Sequence, residues 1–198
     1  MKLLTDGSKK SPVLGFCLRV VSEHAADWPP TEEVLARKFV SWLGFSPFLT
    51  REAVSELCRA KGVNVSFAPL PQDIRGFNCS FQQKKEIVIS KPEIAVFSDS
   101  HTLFHEFREM LEHVFTELGH PTTGSAGLSE IQAEHFAVIC RMQAAEKELP
   151  DLIASAQTVE NKWARYLAYA ALGVLTFAYL VGCVLTPAME ELPSKTRG

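Results

Sequence analysis

The sequence predicts an α+β protein: a small domain of helices around a short β-sheet, followed by a C-terminal hydrophobic helix that crosses a membrane. The observations behind this are two changes of pattern along the chain. Apolar residues recur at helical spacing up to Gly62, alternate in strand fashion from Val63 to Ile89, and return to helical spacing from Leu103. A charge-free apolar run then occupies Tyr166 to Leu185. The domains expected are a lead-in over 1–30, a domain over 31–160, and a membrane helix with its tail over 161–198.

The first element is the least defined. "SPVLGFCLRVV" suits a short strand or a helix, and "DWPP" ends it. Thr31 can cap a helix over "TEEVLARKFVSWLG", with Gly44 as the stop. Thr50 opens another, "TREAVSELCRAKG", closed by Gly62. Val63, Val65 and Phe67 then alternate with polar residues, as in a strand covered on one face. Phe77, Cys79 and Phe81 alternate in turn, "QQKK" turns, and Ile87–Ile89 form a return strand, so a hairpin is expected. "SDS" starts the next helix. Its apolar residues Leu103, Phe104, Phe107, Met110, Leu111, Val114 and Phe115 form one stripe that faces a core. "LGHPTTGSAG" breaks it. A further helix is expected from about Ser129 to Leu149, stopped by Pro150, with a short helical segment after it.

The run "YLAYAALGVLTFAYLVGCVL" is about 20 residues long, close to what a bilayer crossing needs. Trp163 and Tyr166 stand where interfacial aromatics belong, and Lys162 and Arg165 precede the run while Glu190 and Glu191 follow it. That bias places the N-terminal domain in the cytoplasm, anchored to the inner or plasma membrane. A helix buried in protein is the alternative.

Composition narrows the class further. With 198 residues, 46% apolar and 22% charged, the chain can bury a core and is not disordered overall. A net charge of −3 and the absence of a long basic run give no reason to expect direct nucleic-acid binding. The cysteines Cys17, Cys58, Cys79, Cys140 and Cys183 are widely spaced without a C-x-x-C, which fits buried thiols better than disulfides or a cysteine zinc knuckle.

Chemistry concentrates in "HTLFHEFREMLEHVF". His105 and Glu109 are four residues apart, so on a helix they share a face away from the apolar stripe. Glu106 sits beside them. Two side chains at that spacing can hold one metal ion, and the intervening carboxylate can take a proton from the water the ion activates. Glu109 stands where the familiar His-Glu-x-x-His pattern has its second histidine. A carboxylate is an acceptable zinc ligand, adds negative charge, and makes manganese or another oxygen-preferring ion plausible too. A third ligand can come from "SEIQAEHFAVIC". There Glu130 and Glu134 share a face, and Ala133 and Ala137, on nearly the same side, would permit close approach to the His105 helix. His101 and His113 extend the row as alternative ligands or as partners that orient the ligands. An H-E-x-x-E pattern also occurs on ordinary solvated helix faces.

Taken together, "LPQDIRGF", "KKEIVIS", "HTLFHEFREMLEH" and "EIQAEHFA" resemble, in order and spacing, the ImmA/IrrE family of metallopeptidases over about Thr31 to Cys140. The matching positions are Thr102, Leu103, His105, Glu106, His113, Glu130, Ala133, Phe136 and Ala137. The resemblance implies a zincin-type metallopeptidase domain with Zn2+ held by His105 and Glu130, Glu109 in the place of the second histidine, and Glu106 as general base. It favours Glu130 over Glu134 as ligand, since Glu134 falls where the family has Asn or Asp. It also implies a protein or peptide substrate, such as a transcriptional regulator. Arg108 stands where the family has Gly, and neither a helix-turn-helix domain nor the family's usual lack of a membrane segment is matched here. Two functions follow: a membrane-tethered zinc endopeptidase, or a peptidase-like metal-binding or interaction module that does not cut.

Overall fold

The computed structural model describes residues 11–46, 49–72, 74–81, 84–91, 98–123, 126–174 and 177. Its elements, in chain order, are α1 (Pro12–Glu23), α2 (Glu32–Leu43), α3 (Arg51–Ala60), β1 (Val63–Ala68), β2 (Gly76–Phe81), β3 (Lys84–Ser90), α4 (Ser98–Glu117) and α5 (Ala126–Gln157). A sixth helix, α6, covers 162–174.

Local chemistry explains three of these boundaries. The Thr31 hydroxyl accepts from Val34 N, and the Thr50 hydroxyl from Ala53 N, so each satisfies an otherwise unpaired N–H of the first turn. Gly44 ends α2 at φ 76°, where a side chain would be strained. The first segment takes the helical alternative. Val13, Phe16, Cys17 and Val20 of α1 are buried at helical spacing and belong to the same core as α2, α4 and α5. Phe39 of α2 is the centre of that core. Its ring lies 5.0 Å from that of Phe107 and 5.4 Å from that of Phe136, with Phe16 and Phe104 also around it. Each such aromatic contact contributes about 0.5–1.5 kcal/mol beyond simple burial.

The sheet has the order β1-β3-β2. The expected hairpin is present as β2 antiparallel to β3, with Gly76 opposite Ile89 and Asn78 opposite Ile87. β1 joins β3 in parallel, Val65 opposite Ile87, which periodicity alone did not indicate. β2 is therefore an edge strand among the described residues. Opposed residues share a face of a sheet, so Val65, Ile87 and Ile89, all buried, line up with Gly76 and Asn78. That face packs on α4. Phe77 and Cys79 point the other way and are exposed, so β2 turns its apolar side out and its polar side in.

All seven residues of the α4 stripe are buried. The opposite side of α4 is not a solvated face: His101, Thr102, Glu106, Arg108 and Glu112 are buried as well, because β2 and α5 pack against α4 and Glu32 of α2 reaches Arg108. Ala133 and Ala137 are fully buried in α5 where it meets α4, as their small size suggests.

Two expectations need correction. α5 does not stop at Pro150 but runs through it to Gln157. Proline removes one helical N–H and costs roughly 3 kcal/mol in a helix interior. Buried Ala144 and Ala156 hold the helix down on either side of it. The second correction concerns the membrane helix expected over Tyr166–Leu185. Among the described residues no helix is long and apolar enough to cross a membrane. α6 begins with Lys162, Trp163 and Arg165, and only 166–174 of it belong to the apolar run. A span needs about 20 apolar residues at 1.5 Å each to match about 30 Å of hydrocarbon. Apart from Phe177, the rest of the run lies outside the described residues.

Candidate metal centre

The polar side of α4, the N-terminal half of α5 and the start of β2 border a cleft of about 780 Å³. His105 and Glu109 enter it from α4, one turn apart, and Glu130 enters from α5. His105 Nε2 lies 3.4 Å from Glu130 Oε2 and 4.0 Å from Glu109 Oε1. One donor atom from each of the three residues lies within 4.8 Å of the other two, so this His/Glu/Glu group could hold a metal ion. Donors about 2.0–2.2 Å from a tetrahedral ion are roughly 3.3–3.6 Å apart. Glu130 is exposed and can swing inward to close the wider gap.

The far oxygen of Glu109 is hydrogen-bonded, as a good ligand requires, and the far nitrogen of His105 faces a carboxylate. His105 Nδ1 is 2.8 Å from Glu134 Oε1, at ion-pair distance but out of hydrogen-bond alignment. With Nδ1 engaged there, Nε2 is the nitrogen facing Glu109 and Glu130. Glu134 Oε2 in turn lies 2.8 Å from His101 Nε2. Glu109 Oε2 accepts a hydrogen bond of 2.8 Å from Asn78 Nδ2, which leaves Oε1 facing His105. The same Asn78 nitrogen donates to Glu106 Oε2 at 2.9 Å. Three ligands of this type, one imidazole and two carboxylates, fit zinc and also harder divalent ions.

Burial and charge tune these groups in opposite directions. Glu106 is 6% exposed. Burial pushes its pKa up, Asn78 pulls it back, and Glu109 pushes it up again, with a net rise. A carboxyl raised in this way is a better proton acceptor for catalysis near neutrality. Burial would depress His105, but Glu134, Glu106 and Glu109 outweigh it and the imidazole is raised. Burial would raise Glu134, yet His101 and His105 hold it down at about 2.

Asn78 reaches the cleft because Gly76 lets β2 come close to α4. A Cβ on Gly76 would lie 2.5 Å from Thr102 Cγ2 and 3.2 Å from Glu106 Oε1. Only a glycine fits that approach.

The structure brings together His105, Glu109 and Glu130 and sets Glu106 beside them. Glu134 stands behind His105 rather than in the group. His113 lines the cleft without joining it. Arg108 points away from the cleft, towards Glu32 of α2. Sequence reasoning left out Gly76 and Asn78. Their signal was the strand alternation itself, which puts both on the face opposite Phe77. Compared with family models, with curated proteins and with solved structures, the chain gives no match.

Proposed function

We propose that the chain is a divalent-metal peptidase whose ion, best taken as zinc, is held by His105, Glu109 and Glu130. The observation that carries the reading is the convergence of those three donors within 4.8 Å, on a cleft, with the buried carboxylate of Glu106 next to them. The resemblance of "HTLFHEFREMLEH" and "EIQAEHFA" to the ImmA/IrrE metallopeptidases supports it, and favours a protein regulator as substrate.

An ion held by His105, Glu109 and Glu130 would supply Lewis acidity and make water at the site easier to deprotonate. Glu106, buried beside the ligands, is placed to take a proton from a water attacking the peptide carbonyl and to deliver it to the departing amine, so that the C–N bond breaks and a carboxyl and an amine result. β2 borders the cleft, and its outer edge has no strand partner among the described residues. An extended peptide can pair with such an edge.

The test is cleavage of quenched fluorescent peptides by the full chain with one equivalent of Zn2+. Cleavage is expected, with loss on adding a chelator and in Glu106→Gln, which keeps its metal. Protein prepared without chelators that binds no metal contradicts the reading.

One observation favours a second reading, a metal-binding module that does not cut. Glu109 adds a second carboxylate to the ligand set, which lowers the Lewis acidity of the ion. Glu109→His separates the two. Activity that appears only in this variant identifies the natural chain as the module.

A further inference from the structure

A carboxylate is a less well-defined ligand than an imidazole. It has two oxygens and a rotating plane, so the same side chain can offer either oxygen, both, or neither. Among the described residues, Asn78 holds Glu109 against this. Asn78 Nδ2 donates to its Oε2, and the oxygen left over, Oε1, is the one 4.0 Å from His105 Nε2.

An amide NH2 has two donors. The second goes to Glu106 at 2.9 Å. Glu106 and Glu109 are three apart on α4, where like charges repel, and Asn78 lies between their carboxylates. The position of Asn78 is built into the fold. Its register opposite Ile87 fixes it along the strand, and Gly76, two residues earlier on the same face, removes the side chain that would keep β2 away from Thr102 and Glu106.

We infer that Asn78 is a positioning residue that makes Glu109 a working metal ligand in place of a histidine. The inference rests on the metal-centre reading. It assigns a role to β2 that is specific to a carboxylate at this position: an imidazole at 109 would present one ring nitrogen to the ion without needing Asn78 to choose between two oxygens.

The experiment is Zn2+ affinity of the full chain, measured by competition with a chromophoric chelator, in four forms: unaltered, Asn78→Ala, Glu109→His, and the double variant. Melting temperature is followed in each. Asn78→Ala is expected to weaken zinc binding by about 10–100-fold, the usual effect of removing a ligand's hydrogen-bond partner. In the Glu109→His background the same change is expected to weaken it by less than about threefold, well below that usual effect. Equal losses in both backgrounds, or no loss in either while the unaltered chain binds zinc, overturn the inference and leave the metal centre standing. No zinc binding by the unaltered chain overturns both. If Asn78→Ala does not fold, Asn78→Thr replaces it. Thr is the smaller step, since its one hydroxyl donor can serve Glu109 or Glu106 but not both, so a smaller loss is expected, still confined to the background with Glu109.

Discussion

α4 carries two buried charged clusters one turn apart, and they are built on opposite terms. On one side Arg108, 1% exposed, spans α2 and the α4–α5 connection. It donates to both oxygens of Glu32, to Glu112, to the Thr122 hydroxyl and to Gln132. Glu112 in turn accepts from the backbone N–H and hydroxyl groups of Thr122 and Thr123. Among the described residues each of these charged groups is paired with an opposite charge or a hydrogen-bond donor inside the cluster, and none of them lines the cleft. On the other side Glu106, Glu109, Glu130 and Glu134 gather around His101 and His105, with Asn78 as the shared donor. Carboxylates outnumber their partners there, and the cluster opens on a cleft. A buried polar network that satisfies itself holds a fold together. One with excess negative charge at a cleft is poised for a cation.

The contrast can be broken first on the open side. Glu106→Gln is expected to lower peptide hydrolysis by about 10²–10⁴-fold, the share a general base supplies. Metal content and unfolding midpoint should stay close to those of the unaltered chain. Loss of fold instead would make Glu106 part of the scaffold. The closed side predicts the reverse. Arg108→Ala leaves Glu32 and Glu112 buried without their cation and is expected to destabilise by roughly 3–5 kcal/mol in denaturant unfolding. An Arg108→Ala protein with an unchanged unfolding midpoint would mean that water already satisfies those carboxylates.

A smaller effect is expected at the strand. Gly76→Ala brings a methyl against Thr102 and should destabilise by about 1–3 kcal/mol, as overpacking does. Adding Thr102→Ser removes the nearest atom and should restore part of the loss. An unchanged midpoint for Gly76→Ala would show that β2 has room to spare.

The smallest and most conditional effect is in pH. Burial raises the Glu112 pKa, but the Thr122 hydroxyl and Arg108 outweigh it, so the folded value is lowered. A group lowered on folding stabilises fully above its unfolded pKa. That contribution fades as pH falls through the folded value. Stability should therefore drop on acidification below about pH 4.5, the ordinary range of a glutamate, and the drop should shrink in Glu112→Gln. An identical acid profile in that variant would remove Glu112 from the account.

Much of this arrangement was legible from spacing alone. Thr31, Thr50 and Gly44 mark helix ends through local chemistry, and the Leu103–Phe115 stripe orients α4. Four-residue spacing then puts His105 and Glu109 together, and a helix returning on small Ala133 and Ala137 offers Glu130 or Glu134, a choice that only the family resemblance turns towards Glu130. What escaped depends on contacts far apart in sequence. Arg108 read as a foreign residue inside a motif, because Glu32 is 76 positions away. Asn78 read as the polar half of a strand, because nothing local says that β2 lies at the sheet edge against α4. Pro150 and the apolar run after Tyr166 misled for a related reason. Each carries a strong local rule, and in α5 packing on both sides of the proline overrides it.

The central claim is that the open cluster holds one metal ion between His105, Glu109 and Glu130. Crystals of the full chain grown with Zn2+ and measured at the zinc absorption edge test it most directly. The account predicts one anomalous peak, about 2.0–2.2 Å from His105 Nε2, Glu109 Oε1 and a Glu130 oxygen. No peak in the cleft at saturating zinc, or a peak bound by other residues with these three left apart, would contradict it.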